Sequence, residues 1–216
     1  MKLNILDCSL RDGGYYNNWN FNISFVNKYL QLISKSNINY IEIGFKSLIK
    51  DKKIGLTGKC EDKFLEKLNV PKNVNLGVMI NSSEFIGKSH DISVFFKKRN
   101  NKIKFVRLAT HIGDIFKIGG AITWLKNNGY IVAVNIMQIS EIRLDQIKIY
   151  CDYLKKKKVD VLYFADSLGC LKTNDIKNIS KMIKKSWQGD MGIHAHDNLG
   201  LALNNSQTAF KNGVSW

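Results

Sequence analysis

The sequence predicts an α/β fold on a parallel sheet, and three observations predict it. Seven short apolar, β-branched runs recur along the 216 residues, their starts about 30 residues apart, the length of one strand-plus-helix unit. The runs are apolar nearly throughout, as strands covered on both faces are. The segments between them carry helical periodicity. Period alone admits an open doubly wound sheet or a closed eight-stranded barrel. Polar residues gather just past the ends of the runs: Arg11 and Asp12 after the first, Arg107 to His111 around the fourth, Asp166 and Ser167 after the sixth. That placement suits a barrel whose active site sits at the C-terminal ends of its strands.

In chain order, strands are expected at 4–8, 40–45, 75–80, 103–109, 131–137, 159–165 and 192–196. Phe25, Tyr29, Leu32 and Ile33 form a first apolar helical stripe, residues between Ile142 and Leu154 a second candidate helix, and Ile176, Ile179 and Ile183 a third. Asn174-Asp175 reads as the start of that third helix. No glycine-rich nucleotide fingerprint follows the first strand, and Gly13-Gly14 reads as a turn. An eighth strand would begin near Gly213, and the sequence stops at Trp216. The expectation is therefore one barrel domain over residues 1–216, with seven β/α units and the eighth missing or incomplete. An exposed sheet edge would then favour a homo-oligomer or a partner subunit.

Composition narrows the function. Hydrophobic residues at 44% and charged residues at 24% are ordinary for a globular domain. The first residues run straight into an apolar strand rather than a leader, and no apolar run is long enough to span a membrane. Cys8, Cys60, Cys151 and Cys170 show no CxxC spacing, so reduced thiols and a cytoplasmic location are expected. The net charge of +15 comes from twenty-nine lysines and only four arginines spread along the chain. The one dense run, Lys155 to Lys158, falls where a helix should end and complements its dipole. A field that attracts small anionic substrates accounts for this charge better than nucleic-acid binding does.

The chemistry concentrates in a few residues. Gly192-Ile193-His194-Ala195-His196-Asp197-Asn198 ends an apolar strand with two histidines one residue apart. Side chains on a strand alternate, so His194 and His196 share a face. One such histidine is usually a strand cap; two together begin a divalent-metal site. They lack a carboxylate, and Asp12 in Leu6-Asp7-Cys8-Ser9-Leu10-Arg11-Asp12-Gly13-Gly14 offers one. Arg11 is a planar donor suited to carboxylates and enolate oxygens, although an exposed Arg-Asp loop pair is the plainer reading. Glu42 sits inside an apolar strand, where a carboxylate must be paired or bind something; the Arg11 loop is a natural partner.

These motifs resemble the DRE-TIM metallolyase superfamily, which includes 4-hydroxy-2-oxovalerate aldolase, hydroxymethylglutaryl-CoA lyase, isopropylmalate and homocitrate synthases and the carboxyltransferase domain of pyruvate carboxylase. The resemblance runs over essentially the whole chain. Val106-Arg107-Leu108-Ala109-Thr110-His111 and Ala165-Asp166-Ser167-Leu168-Gly169 look most like the aldolase branch. It implies a TIM barrel with a divalent cation, Mn2+ or Mg2+ before Zn2+ or Co2+, held by Asp12, His194 and His196. It also implies that Arg11 stabilises the enolate of a pyruvate-like 2-oxo acid, with Glu42 holding Arg11 in place and an aldehyde as the second substrate. The expected activity is a metal-dependent carbon–carbon lyase of the oxo-acid aldolase type.

The chain departs from that pattern where the aldolases carry a histidine shortly after the Arg-Asp pair: Tyr15-Tyr16-Asn17-Asn18-Trp19 stands there. Tyr15 and His111 are the candidate bases; the first could equally shape a pocket and the second cap a strand. Arg107, Asp166, Ser167 and Asn135 are candidate substrate contacts, with Asp166 equally suited to capping a helix. An acyl-CoA-dependent Claisen-type synthase and a catalytically silent barrel subunit are the alternatives; Gly14 stands where those synthases carry an acidic residue.

Overall fold

The computed structural model describes residues 2–38, 40–96 and 99–216. Seven strands are present among them: β1 (Leu6–Asp7), β2 (Tyr40–Phe45), β3 (Asn75–Asn81), β4 (Ile103–Thr110), β5 (Ile131–Ile136), β6 (Val161–Asp166) and β7 (Asp190–Ala195). Their order across the sheet is their order in the chain. The pairs β1–β2, β2–β3, β5–β6 and β6–β7 are parallel. A doubly wound sheet reverses strand order at a switch point; this one does not, so the open alternative is set aside. The helices are α1 (Ser9–Gly13), α2 (Ile23–Ile33), α3 (Leu56–Lys59), α4 (Asp62–Glu66), α5 (Gly119–Asn127), α6 (Ile147–Lys156), α7 (Thr173–Ser186) and α8 (Ala202–Lys211). None of the described helices is long and apolar enough to cross a membrane.

The chain divides into two compact units. The first comprises Asn4–Leu108 and Trp124–Ile131. Its core is built from Ile41 and Ile43 on β2 and Leu76, Val78 and Ile80 on β3, with Val26 and Leu30 of α2, all buried. The stripe expected on α2 is corrected here: Phe25 and Leu32 are 48% and 57% exposed. Residues 25, 29 and 32 and residues 26, 30 and 33 have the same spacing, so periodicity alone leaves the phase open. The core selects the face carrying Val26 and Leu30, while Phe25 stacks on Phe21 at the surface with centroids 5.6 Å apart.

Strand β2 carries one extra residue against β3, since Glu42 pairs with Gly77 but Phe45 with Met79. Bulges of this kind re-aim side chains beside functional sites. Gly44 lies in the bulge, and a Cβ there would fall 1.8 Å from the Thr57 carbonyl oxygen. Backbone cannot swing away as a flexible side chain can. Gly44→Ala is expected to destabilise the chain by about 2–3 kcal/mol in urea unfolding; a loss under about 0.5 kcal/mol would show that the bulge has slack.

The second unit comprises Met1–Leu3, Ala109–Thr123 and Val132–Trp216. Ile176, Ile179 and Ile183 of α7 are buried, as are Ile147, Cys151 and Leu154 of α6, whereas Ile149 is 58% exposed. Helix α7 begins at Thr173, and Asp175 accepts from the Lys172 amide at 2.9 Å, holding its first turn. At β7, Ser215 donates its amide to Met191 and Ile193 donates to Trp216, each at 3.0 Å, so residues 215–216 lie along that strand.

Candidate active site

In the first unit, β1 passes at once into the single turn of α1, which carries Arg11 and Asp12. Asp7 secures that turn: it accepts from the Ser9 amide at 3.2 Å and from the Tyr29 hydroxyl of α2. Arg11 is 5% exposed. Its Nε donates to Glu42 Oε1 at 2.5 Å, while Nη1 and Nη2 reach the two Asp12 oxygens at 2.6 and 2.9 Å. Glu42, fully buried on β2, is also gripped in a fork by Arg107 of β4, with Nε to Oε2 at 2.8 Å and Nη2 to Oε1 at 2.7 Å.

The electrostatics follow from the packing. Burial pushes the Glu42 carboxyl up, but the Arg107 and Arg11 charges and their hydrogen bonds outweigh it and hold it below the ordinary value. Asp12 is the carboxylate of this network that opens outward, with 39% of its side chain exposed. Cys8 donates its thiol to Asp12 Oδ2 at 3.0 Å. Burial, then the Asp12 charge, pushes Cys8 up to about 12, so it stands beside Asp12 as a neutral donor. The unit thus offers an oriented guanidinium next to an outward carboxylate.

Several residues of this unit take positions that the sequence leaves open. Arg107, a candidate substrate contact, is 1% exposed and has its fork on Glu42. One of only four arginines in an apolar strand is the signal that could have suggested an internal ion pair. Tyr15 is 65% exposed and sits edge-on to Trp19, with centroids 4.7 Å apart. Trp19 donates its indole N–H to the Arg11 carbonyl at 2.8 Å. Lys46, just past β2, is 3% exposed and donates to Asp62 at 2.9 Å and to the Cys60 carbonyl at 3.0 Å. A cleft of about 610 Å³ lies beside Lys46, Ser47, Asp62 and Phe95, with neither Arg11 nor Glu42 in its lining. The charged network carries more chemical information than that cleft, because its donors converge and the cleft's lysine is already engaged.

In the second unit, His194 is the last residue but one of β7, and His196 comes directly after the strand. Their rings lie 5.1 Å apart at 78°, with Ala195 in register with Asp166 on β6. Two imidazoles on one strand end are suitable donors for a divalent cation. Their neighbours shape the loops. Asp197 accepts from the Ala202 amide at 2.9 Å at the start of α8, and a Cβ on Gly169 would fall 2.1 Å from the Asn198 side-chain oxygen. Asp166, 1% exposed, accepts from the Cys170 and Leu171 amides at 3.1 Å each. Ser167 Oγ accepts from the Gln138 amide at 3.0 Å. Asn135 is buried on β5, and His111 is exposed at the start of a short 3-10 helix, Ile112–Ile118.

A sheet in chain order, with its charged residues just beyond strand ends, defines an α/β-barrel type of chain. It matches the HMGL-like family over residues 2–216 and belongs to that family. A 4-hydroxy-2-oxovalerate aldolase of Geobacillus thermodenitrificans (strain NG80-2) is 26% identical over 219 residues, covering 98% of this chain and 61% of its own length. One of Carboxydothermus hydrogenoformans (strain ATCC BAA-161 / DSM 6008 / Z-2901) is also 26% identical, covering 100% of this chain and 63% of its own length. Among solved structures, the N-terminal domain of a candidate aldolase from Bacteroides vulgatus has a TM-score of 0.88 at 28% identity, over 99% of this chain and 71% of that one. The HMG-CoA lyase of Bacillus subtilis has a TM-score of 0.79 at 14% identity, over 99% of this chain and 75% of that one, a likeness of fold. The chain spans about three fifths of the length of the curated relatives it matches.

Proposed function

We propose that this chain is a divalent-metal-dependent aldolase-type lyase that cleaves or forms a carbon–carbon bond through the enolate of a pyruvate-like 2-oxo acid. The observation that carries this reading is Arg11: a guanidinium held on a buried carboxylate, itself clamped by Arg107, beside the outward-facing Asp12. The names of the aldolase relatives support the same chemistry.

In the cleavage direction the C3–C4 bond of a 4-hydroxy-2-oxo acid breaks and its electron pair becomes the enolate of the 2-oxo acid. The 4-hydroxyl proton passes to a base, and the aldehyde leaves. Arg11 stabilises the enolate oxygen as charge develops, and Glu42 and Arg107 keep it from reorienting. Its Nη1 and Nη2, now on Asp12, are the donors that exchange toward a ligand oxygen. Tyr15 and His111 are the two candidate bases, which the pH profiles of Tyr15→Phe and His111→Ala would separate.

The donor chemistry fits a divalent cation: one outward carboxylate on Asp12 and two neighbouring imidazoles on His194 and His196 are the residues that would hold it. A bound cation supplies Lewis-acid polarisation of the oxo-acid carbonyl. Mn2+ or Mg2+ is the first choice and Zn2+ or Co2+ the second, and a metal titration ranks them. The four free thiols support a reducing, cytoplasmic setting.

The test is metal analysis together with deuterium exchange of the pyruvate methyl protons. Exchange is expected to need the cation and to stop on chelation. His194→Ala is expected to lose at least about ten-fold in metal affinity while keeping its far-ultraviolet circular dichroism. Metal content unchanged in His194→Ala, or exchange indifferent to chelation, would refute the assignment.

A further inference from the structure

The turn after Asp12 is constructed around one indole. Trp19 and Asn18 both have left-handed backbones, at φ 58° and 53°, a conformation that costs non-glycine residues energy unless the surroundings enforce it. Three glycines make room for them. A Cβ on Gly14 would fall 1.9 Å from the Trp19 ring, one on Gly55 would fall 2.3 Å from the Trp19 carbonyl oxygen, and one on Gly58 would fall 3.1 Å from the Trp19 side chain. Hydrogen bonds secure the same residues: Gly55 N to Asn18 O at 2.7 Å, Thr57 Oγ1 to Trp19 O at 3.2 Å, and the indole N–H to the Arg11 carbonyl. So much local constraint on one side chain is more than a surface turn requires.

The constraint serves an aromatic wall beside Arg11. Phe45, on the β2 bulge, has the Arg11 guanidinium carbon 5.6 Å from its centroid. Trp19 meets Phe45 edge-on at 5.6 Å, and Tyr15 meets Trp19 at 4.7 Å and Phe45 at 6.4 Å. Trp19 and Phe45 are largely covered, whereas Tyr15 is 65% exposed and its hydroxyl has no hydrogen-bond partner among the described residues. A rigid base carrying one open ring is suited to an apolar group: aromatic surface packs in edge or offset contact and supplies area at little entropic cost.

Building on the aldolase reading, in which Arg11 takes the oxo-acid end, we infer that Tyr15, Trp19 and Phe45 form a subsite for an apolar, ring-sized substituent on the aldehyde partner. Tyr15 is then the specificity-determining residue, acting through its ring.

The test measures binding rather than turnover. In calorimetry with the full chain and Mn2+, 2-oxo-4-phenylbutanoate, an adduct analogue lacking the 4-hydroxyl, is compared with 2-oxopentanoate. The wild type is expected to bind the phenyl compound at least about ten-fold more tightly. Tyr15→Ala, at an exposed position, should collapse that ratio to within about two-fold, and Tyr15→Phe should preserve it. A wild-type ratio near one, a ratio surviving Tyr15→Ala, or one lost in Tyr15→Phe would each overturn the subsite. Aldol addition of pyruvate to acetaldehyde and benzaldehyde is assayed in parallel. Absence of any turnover with the phenyl preference intact would reject the aldolase reading and the aldehyde as occupant, leaving only an apolar-group subsite at Tyr15.

Discussion

Replacing Glu42 by Gln is expected to destabilise the chain by about 3–5 kcal/mol, the range for leaving a buried charge without its partner. The side chain is nearly isosteric, so the effect is electrostatic. Glu42 is a fully buried acceptor shared by Arg11 and Arg107, which are 5% and 1% exposed. A neutral amide returns one oxygen and turns its own N–H groups toward a guanidinium. Adding Arg107→Met should recover part of the loss, because a buried pair replaced by apolar side chains is often close to neutral. A cost below about 1 kcal/mol for Glu42→Gln would contradict this account. The wild type should also show a characteristic pH dependence. Because the two arginines depress the folded-state carboxyl, its contribution is fully present above the unfolded value of 4.5 and is lost as the pH falls below it through the folded value. That acid dependence should be smaller in Glu42→Gln.

Arg11→Lys is expected to lower the metal-dependent exchange of pyruvate protons by about 10²–10³-fold, the cost of removing a preorganised donor from a developing oxyanion. Lysine keeps the charge but not the planar fork. It can face Glu42 or Asp12, whereas Arg11 holds both at once. Stability should fall by only about 1–2 kcal/mol, because the buried carboxylate keeps Arg107 as a partner. Activity and stability therefore separate in this variant as they do not in Glu42→Gln. Exchange within about three-fold of wild type would remove Arg11 from the enolate's binding group.

Much of the fold is legible in the sequence. The seven strands fall close to the expected positions, and β2 matches to the residue, Tyr40–Phe45, because continuous apolar runs bounded by polar residues have few alternatives. The apolar run predicts a first strand over 4–8, but only Leu6–Asp7 is regular, since Cys8 already leads into α1. Helix α2 is legible in the sequence, but the stripe of Phe25, Tyr29, Leu32 and Ile33 is the wrong face: Phe25 and Leu32 are exposed and Val26 and Leu30 buried, because the two stripes are equivalent in spacing. The motif residues of the site were visible as residue types. Arg107's place on Glu42 was not: it joins positions 65 residues apart, and nothing local in Val106-Arg107-Leu108 distinguishes a ligand contact from an internal ion pair.

By itself the sequence determined the alternation of strand and helix, the resemblance carried by the Arg-Asp and His-Ala-His motifs, and the buried position of Glu42. These depend on local pattern and on the high cost of placing a carboxylate in an apolar strand. Tertiary structure alone decided that one carboxylate serves two arginines, that Asp12 faces outward, and that Trp19 is held between three glycines and Phe45. Each of these depends on which distant side chains share a volume, a property of packing that no spacing along the chain encodes.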